Sequence, residues 1–215
     1  MRLKVLIIII LTSFSLTSCI EIIEEMWVKK DRSGKVSLRV ESGAVGFLFT
    51  TLGDYIQPKM LTEITSAPAT YAKKLKEVKG VSKVHTVNDL KNGQLGLSFE
   101  FANPSALNHA WYSFLGLDKK FYHPRLYKIS RHKLKKKNIH PYLQRYLLEN
   151  KEQISSPEIL KLIRFVTIYH LPGTIKKSKN QENTKLKQDT IVIQSHSVES
   201  LMKDKTDLSQ VIHFN

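Results

Sequence analysis

The chain of 215 residues carries 34 Lys and Arg against 19 Asp and Glu, a formal charge of +15, and a single cysteine, Cys19. One thiol excludes an intrachain disulfide, so the fold has to rest on an apolar core, and the length suits one substantial domain or two small ones. The charge points to anionic partners, and the order of the segments decides which kind.

Arg2 and Lys4 make a basic tip, Val5 to Leu11 is an unbroken apolar run, and Thr12 to Ser18 is mostly small and hydroxylic. That order predicts a secretory signal peptide over residues 1–18. A membrane span needs about 20 apolar residues, and this run is much shorter. Leu16-Thr17-Ser18-Cys19 resembles the lipobox of bacterial lipoproteins. The resemblance implies cleavage before Cys19 and a lipid on its thiol, leaving residues 19–215 tethered to a membrane without spanning it. Several acyl chains hold a protein stably, since each buried CH₂ contributes about 0.8 kcal/mol. Ile20 follows the cysteine where an Asp is linked with inner-membrane retention, so the outer membrane is the expected destination. The acidic EIIEE over 21–25 resembles a surface-export signal but reads better as the start of a first strand.

Loss of residues 1–18 removes Arg2 and Lys4 and no acid, taking the formal charge from +15 to +13. The charge concentrates between Lys119 and Lys137, where nine Lys and Arg occur without an acid. In an exported protein this favours anionic lipid, glycolipid or an acidic envelope partner over nucleic acid, and Lys133, Lys135, Lys136 and Lys137 are the candidate contact residues. The alternative is a solvated basic face without a ligand.

Two blocks follow the signal. In each, a turn dipeptide (Ser33-Gly34, then Asn92-Gly93) precedes an alternating strand and an apolar helical stretch. Val36, Leu38 and Val40 share one strand face, as do Leu95, Leu97, Phe99 and Phe101. Asn103 caps the second helix, Pro104 opens it, and Leu107, Ala110, Trp111 and Phe114 form its core stripe. A further helix is expected after Ser66 and Pro68, ending at Gly80. The predicted class is α+β: an antiparallel sheet of hairpins in two ββα-like units with packed helices. The second half is expected to be irregular and basic, with sub-units over 20–118 and 119–215. There, 124–138 reads as a strand entering a basic loop. Short helices are expected at 141–150 and from Ser156-Pro157, and a strand broken at Pro172-Gly173. Lys176 to Gln188 reads as a mobile loop, and DTIVIQSHS and VIHFN as late strands.

CIEIIEE from Cys19, DRSG from Asp31 and GVSKV from Gly80 resemble Bacteroidetes lipoproteins that begin C-x-E and carry a D-G-S-G hairpin. LPGTIKKSKN over 171–180 and the strand at 189–193 are similar to LppM-type envelope lipoproteins. The resemblance implies an anchored α+β domain, mostly of no known activity, with lipid or glycolipid binding proposed for some members, and supplies no catalytic residue. The chain departs in placing Arg32 where the hairpin glycine is expected, in its lysine-rich middle, and in lacking the C-terminal span of many members.

The sequence has no G-x-S-x-G elbow, H-E-x-x-H, phosphate loop or G-x-G-x-x-G, so no catalytic, cofactor or metal residue is nominated. His132 and His140 lie among like charges, and His196 and His213 are placed to pair across a sheet, without the further ligands that zinc requires. Asp204 and Asp207 suit loop capping. The expected function is non-enzymatic binding of anionic lipid, glycolipid or an envelope partner. The alternatives are a structural subunit of a surface complex using strand edges, or an enzyme on envelope polymers.

Overall fold

The computed structural model describes residues 20–42, 58–89, 94–117, 120, 122–149, 163–179, 184–201 and 206–215. Cys19 and the signal segment lie outside them. So do the Asn92-Gly93 turn, the apolar stretch after the first hairpin, the Ser156-Pro157 start and Asp204.

β1 (Ile20–Val28) and β2 (Gly34–Ser42) form the first hairpin, in register from Ile20 opposite Ser42 to Val28 opposite Gly34. The turn does not use Ser33-Gly34 as its tip. Arg32 N donates to Lys29 O at 2.9 Å, Lys29 N donates to Ser33 O at 2.8 Å, and Arg32 takes φ +69°. This is a type I turn closed by a left-handed residue, a geometry that glycine adopts without strain. Gly34 is already in β2 and is small for another reason. A Cβ there would lie 2.1 Å from Trp27 O and 2.6 Å from the Phe101 ring. Arg32→Gly is expected to stabilise the fold by about 0.5–1 kcal/mol, read from the urea midpoint.

α1 (Pro58–Lys76) starts well before the expected site and contains Pro68. Pro68 costs one helical hydrogen bond, but it lies on the buried stripe with Ala72 and Leu75, at helical spacing, so it also supplies apolar contact. Gly80, at φ +84°, turns the chain into β3 (Val81–Asp89), which pairs with β4 (Gln94–Phe101). α2 (Pro104–Phe114) begins as its sequence predicts, with Asn103 Oδ1 accepting from Ser105 N and Ala106 N, both at 3.0 Å. Such a cap contributes about 1 kcal/mol.

The second half is more regular than its composition suggests. β5 (Tyr127–Ser130) and β6 (Lys133–Lys136) form a hairpin where a basic loop was expected. Strands of four residues with lysine at alternate positions bury too little to be read as strands, yet their backbones pair fully. α3 (His140–Glu149) follows as expected. β7 (Ile163–His170) and β8 (Ile175–Ser178) flank the Pro172-Gly173 turn, and the break is a change of sheet. β9 (Thr184–Gln188) is a strand within the expected loop, held by pairing with β10 (Ile191–Ser197) although its side chains are largely exposed. α4 (Val198–Leu201) and β11 (Gln210–Phe214) close the chain.

The class is α+β, with a seven-stranded sheet in the order β3-β4-β2-β1-β7-β10-β9 and a four-stranded sheet in the order β5-β6-β11-β8. Its pairs are antiparallel except β1 with β7, which is parallel and therefore needs a long crossover. α1 and α2 pack against β3 and β4, and the core runs from Met26, Phe99 and Leu107 to Leu134, Ile212 and Phe214. Buried Asn108 joins α2 to the edge of β5: its Nδ2 donates to Tyr127 O at 2.8 Å and its Oδ1 accepts from Tyr127 N at 3.0 Å. An amide side chain thus satisfies the edge strand as a neighbouring backbone would.

Candidate anionic-surface face and the ion pair beneath it

β6 divides its lysines by strand alternation. Lys133 and Lys135 point outward, while Leu134 and Lys136 point into the protein. The register extends the outward row. Lys135 lies opposite Lys128 of β5 and Val211 of β11, and Lys133 lies opposite Ser130 and His213, with His213 opposite Lys177 of β8. Lys137 and Lys179 stand exposed at the strand ends, and Lys179 N donates to Val211 O at 2.9 Å. The sequences YKIS, KLKK, QVIHF and IKKS contain no acid. Like charges directly opposite one another on a sheet destabilise it, and Lys128 and Lys135 are such a pair.

The seven-stranded sheet treats its outer charges differently. Arg39 bonds Glu25 and Glu41, each at 2.5 Å, His170 Nε2 lies 2.6 Å from Glu25 Oε1, and Arg164 lies 3.7 Å from Glu21. On the four-stranded sheet, Lys128, Lys133, Lys135, Lys137, Lys177 and Lys179 have no carboxylate partner among the described residues. A depression of about 410 Å³ lies at one end of this face, between Lys135, Lys137, Asn138 and Lys179. Its one acid, Asp207, accepts from Ser209 N at 2.8 Å and Ser209 Oγ at 2.9 Å, as suits a loop-capping carboxylate.

Lys136 does not belong to this face. It is fully buried, its Nζ donates to Glu24 Oε2 at 2.6 Å, and it lies between the Phe165 and Tyr127 rings, 5.6 and 5.7 Å from their centroids. Glu24 also accepts from Tyr127 Oη and, at 3.4 Å, from Thr167 Oγ1. The pair belongs to two polar rows facing each other across the interior. Glu24, Thr167, Gln194 and Thr184 are consecutive neighbours across the large sheet; Tyr127, Lys136 and Gln210 are neighbours across the small one. Gln210 Nε2 donates to Thr184 Oγ1 at 3.2 Å, a second link between the rows.

Burial and then the Glu24 charge push the Tyr127 and Tyr169 hydroxyls well above the usual 10. A raised folded-state value means that the stability is present below the unfolded tyrosine pKa and is lost as pH rises above about 10. Burial also pushes the Tyr112 hydroxyl up to about 12, so tyrosinate absorbance of the native protein just above pH 10 is expected to lack the signal of Tyr112, Tyr127 and Tyr169, which appears on unfolding. Burial and then Lys136 lower His196, so its contribution is present above about pH 6.5 and is lost as pH falls below it.

His196 and His213 lie in different sheets and do not pair across one. His132 is exposed, and His140 is buried with Nε2 donating to Leu201 O at 2.7 Å. Among the described residues no three of His, Cys, Asp and Glu form a set that would hold a metal ion.

Among solved structures the chain is similar to the NMR structure of the folded domain of Mycobacterium tuberculosis LppM, at 8% identity and a TM-score of 0.42, over 93% of this chain and 91% of that one. No protein-family model and no curated protein matches it.

Proposed function

We propose that the protein is a lipid-anchored lipoprotein of the bacterial cell envelope that lays the outer face of its four-stranded sheet on anionic lipid headgroups, without catalysing a reaction. The observation that carries this reading is the lysine face itself, where six lysines share one surface and lack the acids that neutralise the other sheet. Such charges contribute about 1 kcal/mol each beside an anionic leaflet. A lipid on Cys19 supplies the apolar part of the attachment, and Ile20, the next residue, already begins β1. Ile20 in place of Asp favours the outer membrane.

Assembly through strand edges is the weaker reading. The β3 edge carries a register shift between Ser82 and His85 with Lys83 at φ +48°, and the β9 edge reads TKLKQ. Irregularity and lysine on an edge both oppose strand addition. Mass spectrometry of the native N-terminus tests the anchor. The expected chain begins at Cys19 with a diacylglyceryl mass on the thiol; an unmodified Cys19, or retained residues 1–18, contradicts it.

A further inference from the structure

We propose that a second site, a cleft of about 660 Å³ between the β1–β2 hairpin, the first turns of α2 and the edge of β5, binds a phosphate group. The cleft shares Lys128 with the sheet face, takes its arginines from outside it, and does not depend on the lipid anchor. Arg32 reaches the cleft from the hairpin, Arg125 from the segment before β5 and Lys128 from β5 itself; all three are exposed. None has a carboxylate partner among the described residues. His109 lines the same cleft. Its one acid, Asp31, is turned to Ser33, accepting from Ser33 N at 3.0 Å and Ser33 Oγ at 2.7 Å.

Two guanidinium forks and an ammonium from separate segments suit the oxygens of a phosphate, which arginine binds in paired hydrogen bonds. The volume lies within the range of small-ligand sites. The backbone adds an independent observation. Arg32 occupies a left-handed position that glycine would hold without strain, and such strain tends to persist where a side chain is needed. The start of α2 contributes the positive end of its dipole, although Asn103 already takes the Ser105 and Ala106 amides.

The test uses the full chain in dodecyl maltoside micelles, titrated with inorganic phosphate and followed by backbone amide resonances. Saturable shifts are expected around Arg32, Ser105 and Lys128. Arg32→Gly combined with Arg125→Gln is expected to weaken binding about tenfold or more while the thermal midpoint holds or rises, which separates lost contacts from lost structure. Lys133→Gln, Lys135→Gln and Lys137→Gln together are expected to leave the phosphate response unchanged, so failure of the sheet-face reading is seen separately. A short-chain phosphatidic acid binding more tightly than phosphate identifies a lipid headgroup as the source, and equal binding identifies free phosphate. Shifts centred on Lys133, Lys135, Lys177 and Lys179, or unchanged affinity in the arginine double variant, would overturn the proposal.

Discussion

Replacing Lys136 by methionine is expected to cost about 3–5 kcal/mol of folding stability. Methionine matches the length of the stem and keeps contact with Phe165 and Tyr127, so little packing is lost. What remains is Glu24, fully buried, with the hydroxyls of Tyr127 and Thr167 but no countercharge. Against a typical total of about 5–15 kcal/mol, such a loss lowers the urea midpoint severely. Glu24→Gln in the same chain removes the stranded charge and is expected to restore most of the loss. Recovery in the double variant distinguishes an ion pair from simple packing. If Lys136→Met costs less than about 1 kcal/mol, the ammonium is not needed to compensate Glu24.

Neutralising Lys133, Lys135 and Lys137 together as glutamine is expected to weaken binding to phosphatidylglycerol vesicles about a hundredfold while stability stays close to wild type. The estimate follows from about 1 kcal/mol per lysine near an anionic surface and a tenfold change per 1.4 kcal/mol. The measurement needs the chain from Ile20, without the lipid, because an acyl anchor would partition into any bilayer. All three side chains are exposed and make no ion pair among the described residues, so removing their charge relieves repulsion and breaks no contact. In about 1 M salt, where the Debye length is about 3 Å, wild type and variant should bind alike.

The two experiments divide one strand, and that division was partly open to view in the sequence. Leu134 marks the inward face of β6, and two-residue periodicity sends Lys136 with it. Met26 and Val28 mark the inward face of β1 and send Glu24 with them. Opposite charges at inward positions of two strands are the signal that would have located the pair. Counting Lys136 with its neighbours as one basic run concealed it. The partnership of β6 with β1 is carried by sheet packing over more than a hundred residues, and no local pattern encodes it. Arg32 is similar: a departure from an expected glycine was visible, but its left-handed backbone and its cleft depend on where β5 and α2 come to lie. The Asn103 cap and the Gly80 turn were legible because each is decided within a few residues. β8 was legible only as the far side of the strand broken at Pro172-Gly173, and β9 was not legible, since its strand is fixed by backbone pairing while its polar side chains resemble a loop.

Contact between the outer face of the four-stranded sheet and anionic lipid is read by amine-reactive labelling of the full chain in zwitterionic and in phosphatidylglycerol-containing vesicles, with modification measured lysine by lysine. The lipid anchor is then common to both conditions, and only the face in contact changes. Protection confined to Lys128, Lys133, Lys135, Lys137, Lys177 and Lys179 in the anionic vesicles, with Lys73, Lys74 and Lys83 reacting equally in both, is the predicted result. Equal labelling of the sheet lysines in the two vesicles, or protection centred on Lys73 and Lys74 of α1, would contradict it.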